Sequence, residues 1–219
     1  VIEVLLIFTF AFLIGSIPFG LFVGRLFGLQ DIRKTGSGNI GATNVARARG
    51  LGPGLLTLGL DSFKGVLPVF ILTLSGTEAV LDRIFNAIGL PSQSINISLI
   101  WWTGFFAVAG HCFSPWLKFR GGKGVATGLG VILILSPWAA LSGIVAFVFT
   151  GLRNRRVSLA SIAGLSLAAV VELVLHGVSV QHWAGLCMVW LIIARHERNL
   201  SALLDNTEPE FVLGRAEGK

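Results

Sequence analysis

The sequence has no tyrosine, only two cysteines and only 13% charged residues, and the last two scarcities remove classes of explanation. Cys112 and Cys187 lie in apolar surroundings without metal-ligand spacing, so neither a disulfide framework nor a zinc site has a basis. With 53% apolar residues and a mean hydropathy of +0.80, the chain of 219 residues has too few polar stretches for a soluble surface and belongs to the membrane class. The net charge of +6 is therefore read as topological charge and anion recognition, with no nucleic-acid partner. Internal repeats and low-complexity segments are also missing.

What is present is a series of apolar runs, at about residues 2–24, 52–75, 97–117, 124–151, 158–176 and 179–194. The first has Glu3 near its start and no basic leader, and reads as a retained span. A helix needs about 20 residues to cross about 30 Å of hydrocarbon, so most runs are single crossings. The run 124–151 is the exception: as one helix it is about 42 Å long, and Ser136 and Pro137 at its centre predict a hairpin of two shorter helices. Charge parity favours that hairpin. Seven crossings put 15 of the 17 Lys and Arg residues on one side, leaving Lys64 inside a span and Arg83 opposite. The expectation is an all-α polytopic membrane protein with seven transmembrane helices and short cytoplasmic Gly-rich loops, its N-terminus outside and its C-terminus cytoplasmic. One membrane domain covers residues 1–204, and residues 205–219 form a short acidic tail, expected as a loosely ordered end. Val80, Leu81, Ile84, Phe85 and Ile88 recur at helical spacing in the outer segment and predict an amphipathic surface helix.

Three polar segments carry the candidate chemistry. In KTGSGNIGATNVARAR, Gly36, Gly38 and Gly41 allow tight turns, Ser37, Asn39, Thr43 and Asn44 add hydrogen-bonding groups, and Arg47 and Arg49 add charge. The pattern suits either a phosphate-binding nest or a structured connecting loop, and matches neither the nucleotide-triphosphatase nor the dinucleotide fingerprint. In KFRGGKGVAT, Gly121, Gly122 and Gly124 bracket Lys123 just before an apolar helix, next to Arg120. A phosphate there meets a lysine and a positive helix end, the alternative being a basic membrane turn. In RHERN, His196 and Asn199 share a helix face, suited to capping, an interface or catalysis. His111 takes part in catalysis, shapes the site or packs near the headgroups. Asp61 and Lys64, three residues apart inside a span, read as a structural ion pair or a substrate contact. His176 and His182, beside the outer GVS turn, read as interface residues.

Together, GSIPFG at 15–20, GSGNIGATNVAR at 36–47, DSFKG at 61–65, GHCFSPWLKFRGGKGVAT at 110–127 and HERN at 196–199 resemble the bacterial acyl-phosphate-dependent glycerol-3-phosphate acyltransferase family. The resemblance implies a seven-helix fold. It also implies acyl transfer from acyl phosphate to the sn-1 hydroxyl of glycerol 3-phosphate at the cytoplasmic face of the bacterial inner membrane, with lysophosphatidate and inorganic phosphate as products. The partners it implies are those two substrates, membrane lipids and functional coupling to an acyl-phosphate-producing enzyme. It places weight on Ser37, Asn39, Thr43, Asn44, Arg47, His111, Arg120, Gly122, Lys123, His196 and Asn199. No histidine is followed four residues later by aspartate, as in acyltransferases using acyl-CoA or acyl carrier protein: Pro115 follows His111 at that spacing, and Leu200 follows His196.

The chemical expectation is direct transfer. Lys123, Arg47 and Arg120 hold the two phosphates with help from glycine-rich backbone amides. Ser37 orients a substrate or forms an acyl intermediate, but lacks a Ser, His and acid triad. His196 and Asn199 orient the acceptor, and the acyl tail enters between helices from the lipid. No metal or organic cofactor is required. An organic-phosphate or ion transporter is the alternative class, without the matching halves that such proteins often carry.

Overall fold

The computed structural model describes residues 2–74, 77–87, 97–177 and 183–211, which fold into α-helices joined by short loops and single turns. They are α1 (Ile2–Gly15), α2 (Phe19–Leu26), α3 (Ala42–Arg49), α4 (Leu51–Thr73), α5 (Thr77–Ala87), α6 (Ile97–Cys112), α7 (Val125–Leu135), α8 (Pro137–Asn154), α9 (Val157–His176), α10 (Trp183–Ala194) and α11 (Glu197–Leu204). The break between α1 and α2 is chemical: Pro18 has no amide proton to donate, and the Ser16 hydroxyl bonds back to the Leu13 carbonyl at 2.7 Å. A helix also forms where the amphipathic pattern predicts one, over Thr77–Ala87, although Ile88 of that pattern and His182 lie outside the described residues.

The expectation of seven transmembrane helices does not hold. Among the described residues four segments are long and apolar enough to cross a membrane: Ile2–Leu26, Leu51–Thr73, Ile97–Leu117 and Val157–His176. The run 124–151 does split at Ser136 and Pro137, with proline in the first turn of α8. The resulting α7 has 11 residues, about 16 Å, roughly half of the hydrocarbon thickness. The last apolar helix, α10, has 12 described residues, a length also short of a crossing. Hydropathy counts apolar residues without telling a lipid-facing face from a protein-facing one. Val131 and Ile132 of α7 and Met188, Leu191 and Ile192 of α10 are buried in protein. Counting crossings therefore no longer fixes the side of each loop; a shared cavity brings the loops together instead.

Without a strong hydrophobic drive between helices in lipid, close backbone approach holds such a bundle together. A methyl group on Gly143 of α8 would lie 2.9 Å from the Gly164 carbonyl oxygen of α9, and one on Gly164 only 2.7 Å from the Gly143 oxygen, so the two helices touch through glycine. The main core gathers Val69, Trp101, Val108, Val131, Met188 and Ile192. A second cluster of Leu21, Val23, Ile32, Ile40, Val45 and Leu117 supports the first glycine-rich loop from beneath.

Candidate active site

One cavity of about 500 Å³ collects residues from all three polar segments. Ser37, Asn39, Gly41, Thr43, Asn44 and Arg47 reach it from the first, Lys123 and Gly124 from the second, and His196 and Asn199 from the third, with His111 joining from the end of α6. Its other half is apolar and lies between helices, walled by Leu129 and Ile132 of α7, Ala140, Ile144 and Phe147 of α8, and Leu165 and Ala168 of α9. A polar chamber thus opens onto a slot with the chemistry of a lipid tail.

The first loop is organised by one side chain. Asn44, in the first turn of α3 and 2% exposed, presents its amide nitrogen to the carbonyls of Asn39 (2.8 Å), Thr35 (2.9 Å) and Ile32 (3.2 Å). Its oxygen accepts the Ser37 amide at 3.1 Å. Gly36 has φ +53°, and a methyl group there would stand 2.5 Å from that oxygen, so a glycine is required. Asn39 accepts the Gly41 amide at 3.0 Å and closes the turn into α3, whose positive end meets the cavity. Asn44 is therefore the loop's internal brace, while Ser37, Thr43 and Arg47 are the outward groups.

The second loop folds back along the end of α6. The amides of Gly121 and Gly122 donate to the Cys112 and His111 carbonyls at 3.1 Å, and a side chain on either glycine would overlap the backbone or ring of His111. Arg195 reaches across from the third segment, donating to the Gly121 and Gly122 carbonyls at 3.3 Å and lying over the Phe113 ring. This clamp aims Lys123 at the cavity. Burial lowers the Lys123 ammonium to about 8, with the Arg47 cation adding to the shift and the Glu208 carboxylate opposing it.

Beneath the loops lies a buried polar cluster. Asp61 and Lys64 form an ion pair at 2.7 Å, Lys64 donates to the Ile17 carbonyl at 2.8 Å, and His111 Nδ1 is 3.7 Å from Asp61 Oδ1. Asp61 lines the cavity, whereas Lys64 ties α4 to the break between α1 and α2.

His196 is 1% exposed, with Nδ1 at 2.8 Å from the Ile192 carbonyl. A carbonyl only accepts, so Nδ1 carries the proton and Nε2 the lone pair. Burial, reinforced by the Lys123 cation, lowers the imidazole to about 4 and keeps it neutral near neutrality. Asn199, one turn on, donates to Glu208 Oε1 at 3.0 Å.

Not every candidate reaches the cavity. Gly36, Gly38, Gly121 and Gly122 shape the loops behind it, and Arg120 is exposed outside it. Conversely, Ser158 and Ser161 on α9 and Glu208 and Pro209 after α11 line the cavity without a motif to announce them. The segment expected as a loose end is docked through its described residues. Arg47 donates to the Pro209 carbonyl at 3.2 Å and lies over the Phe211 ring, and the Phe211 amide donates to the Arg155 carbonyl at 2.7 Å. Among the described residues no group of three or more His, Cys, Asp or Glu side chains is arranged to hold a metal ion.

The family profile described as glycerol-3-phosphate acyltransferase matches residues 5–206. A glycerol-3-phosphate acyltransferase of Anaeromyxobacter sp. (strain Fw109-5) is 40% identical over 198 residues, covering 90% of this chain and 91% of the relative. One from Synechococcus elongatus is 40% identical over 213 residues, covering 96% and 95%. Among solved structures, the glycerol 3-phosphate form of PlsY (YgiH), an integral membrane glycerol 3-phosphate acyltransferase, superposes with a TM-score of 0.80 at 36% identity, covering 95% of this chain and 96% of that one. Its lysophosphatidic acid form gives 0.79 at 35% identity and 95% coverage of each.

Proposed function

The chain belongs to the glycerol-3-phosphate acyltransferase family, and from its cavity we propose how these residues carry out the family's reaction. It transfers an acyl group from acyl phosphate to glycerol 3-phosphate, giving lysophosphatidic acid, as a multi-pass protein of the inner membrane.

Arg47 and Lys123 neutralise the two phosphates, with Ser37, Thr43 and the amides at the start of α3 completing the anion site. The acyl tail lies in the slot between α7, α8 and α9. The carbonyl carbon is thereby held beside the acceptor, and the C1 hydroxyl oxygen attacks it. An ester C–O bond forms, the bond from that carbon to the phosphate oxygen breaks, and phosphate departs with the electron pair. The hydroxyl proton passes to His196 Nε2 or to a substrate phosphate. Phosphate is a good leaving group, so catalysis rests on bringing two mutually repelling anions within reach. Arg120, exposed outside the cavity, is left out of this anion site.

The observation that carries this reading is the meeting of Arg47, Lys123, His196 and Asn199, distant in sequence, in one cavity continuous with an apolar slot. That shared cavity and the positive-inside tendency support placing the site and the C-terminal segment on the cytoplasmic face, with the start of α1 opposite. An acyl-phosphate-forming reaction on the same side has to supply the donor. Purified protein in lipid, given palmitoyl phosphate and glycerol 3-phosphate, is expected to release lysophosphatidate and inorganic phosphate in equal amounts. A folded protein that produces neither contradicts the proposal.

A further inference from the structure

Resting on the proposed function, a count of hydrogen-bond roles assigns one more residue. Arg47, Lys123, the Asn199 amide and the amides at the start of α3 are donors suited to phosphate oxygens. A pocket of donors alone would accept many small phosphates. Glycerol 3-phosphate also carries hydroxyls on C1 and C2, and each needs an acceptor once water is excluded.

Several oxygens around the cavity are already committed. Asp61 is paired with Lys64, and the Asn39 and Asn44 side-chain oxygens hold loop amides. The acceptors that remain include His196 Nε2, the His111 imidazole, the Asn199 side-chain oxygen and Glu208, and of the two carboxylates that line the cavity among the described residues, Asp61 and Glu208, Asp61 alone is held in an ion pair. The Glu208 side chain is 8% exposed; its Oε1 accepts from Asn199, while Oε2 is buried without a hydrogen-bond partner. Its backbone neighbours are anchored, with the Pro209 carbonyl on Arg47 and the Phe211 amide on the Arg155 carbonyl. The carboxylate is thus fixed in the chamber with one oxygen waiting for a donor.

We propose that Glu208 Oε2 accepts the C2 hydroxyl of glycerol 3-phosphate and so determines which phosphate is acylated. An acceptor with a carbonyl at C2 sets two lone-pair groups against each other, and one with a methylene leaves the carboxylate unpaired. Both are discriminated against, while the C1 hydroxyl is left to His196 and the acyl donor. Asn199 acts in this scheme by holding the carboxylate as well as by facing the substrate.

The test compares glycerol 3-phosphate, dihydroxyacetone phosphate and 3-hydroxypropyl phosphate as acceptors, with palmitoyl phosphate as donor. Turnover of glycerol 3-phosphate by the unsubstituted enzyme tests the function, and the ratios of kcat/KM between acceptors test Glu208. Glu208→Gln keeps an oxygen for Asn199 and turns an NH2 group to the chamber. It is expected to lower the preference for glycerol 3-phosphate over dihydroxyacetone phosphate by about tenfold or more. Glu208→Ala, with no polar group, is expected to erase the preference over 3-hydroxypropyl phosphate. Unchanged ratios overturn the proposal. So does an equal gain on all three acceptors, which would make Glu208 only an obstructing anion, or an equal loss, which would make it only a structural tie.

Discussion

At the scale of single residues, the site works by holding charges where water is scarce. Lys123 is the sharpest case, because burial brings its ammonium down to about 8 from an ordinary value of 10.5. A lysine with a lowered value loses its charge as pH rises through that value, so its grip on phosphate is present below about 8 and fades above it. The KM for glycerol 3-phosphate is expected to rise as pH passes about 8, where the substrate phosphate is already fully ionised. Lys123→Arg, whose guanidinium stays protonated, is expected to remove that rise; a limb at the same pH in both proteins would contradict the assignment. His196, lowered to about 4, is neutral across this range and adds no limb of its own. Asn44 acts differently, through the loop it braces. Asn44→Ala is expected to cost about 1–3 kcal/mol in stability by orphaning buried loop groups, and to raise the KM for both substrates, measured by thermal unfolding beside kinetics.

At the scale of elements, the glycine-rich loops were the most legible features and the short helices the least. Gly36, Lys123 and Asn199 stand in local patterns whose chemistry is readable from residue types alone. The Ser136 and Pro137 break was equally readable, since proline dictates it locally. The length needed for α7 and α10 was not, because burial among other helices is a tertiary fact that an apolar run does not encode. Glu208 escaped for the same reason: an acidic residue in a polar tail gives no sign that the chain turns back onto Arg47. The paired helices α8 and α9 form the slot, with Ala168 among its small wall residues. Ala168→Phe is expected to shift the donor preference toward shorter acyl chains, checked by comparing palmitoyl with decanoyl phosphate. An unchanged preference would place the acyl tail elsewhere.

At the scale of the whole molecule, the account requires three loops distant in sequence to share one face. Single cysteines at Lys34, Lys118 and Arg198, each exposed, test this in a Cys187→Ser background with Cys112 left buried. A membrane-impermeant thiol reagent is expected to reach all three from the same side of sealed vesicles, and labelling split between sides would dismantle the site. That convergence, which the residues themselves suggested, matters more to function than the number of crossings, for which the seven expected helices give way to four of membrane length among the described residues. The most direct measurement is the steady-state activity of Lys123→Ala at limiting palmitoyl phosphate and glycerol 3-phosphate, with thermal stability measured alongside. The account predicts a fall in kcat/KM of about tenfold or more in a protein that unfolds at the same temperature. An unchanged kcat/KM would contradict the claim that this cavity gathers the two phosphates.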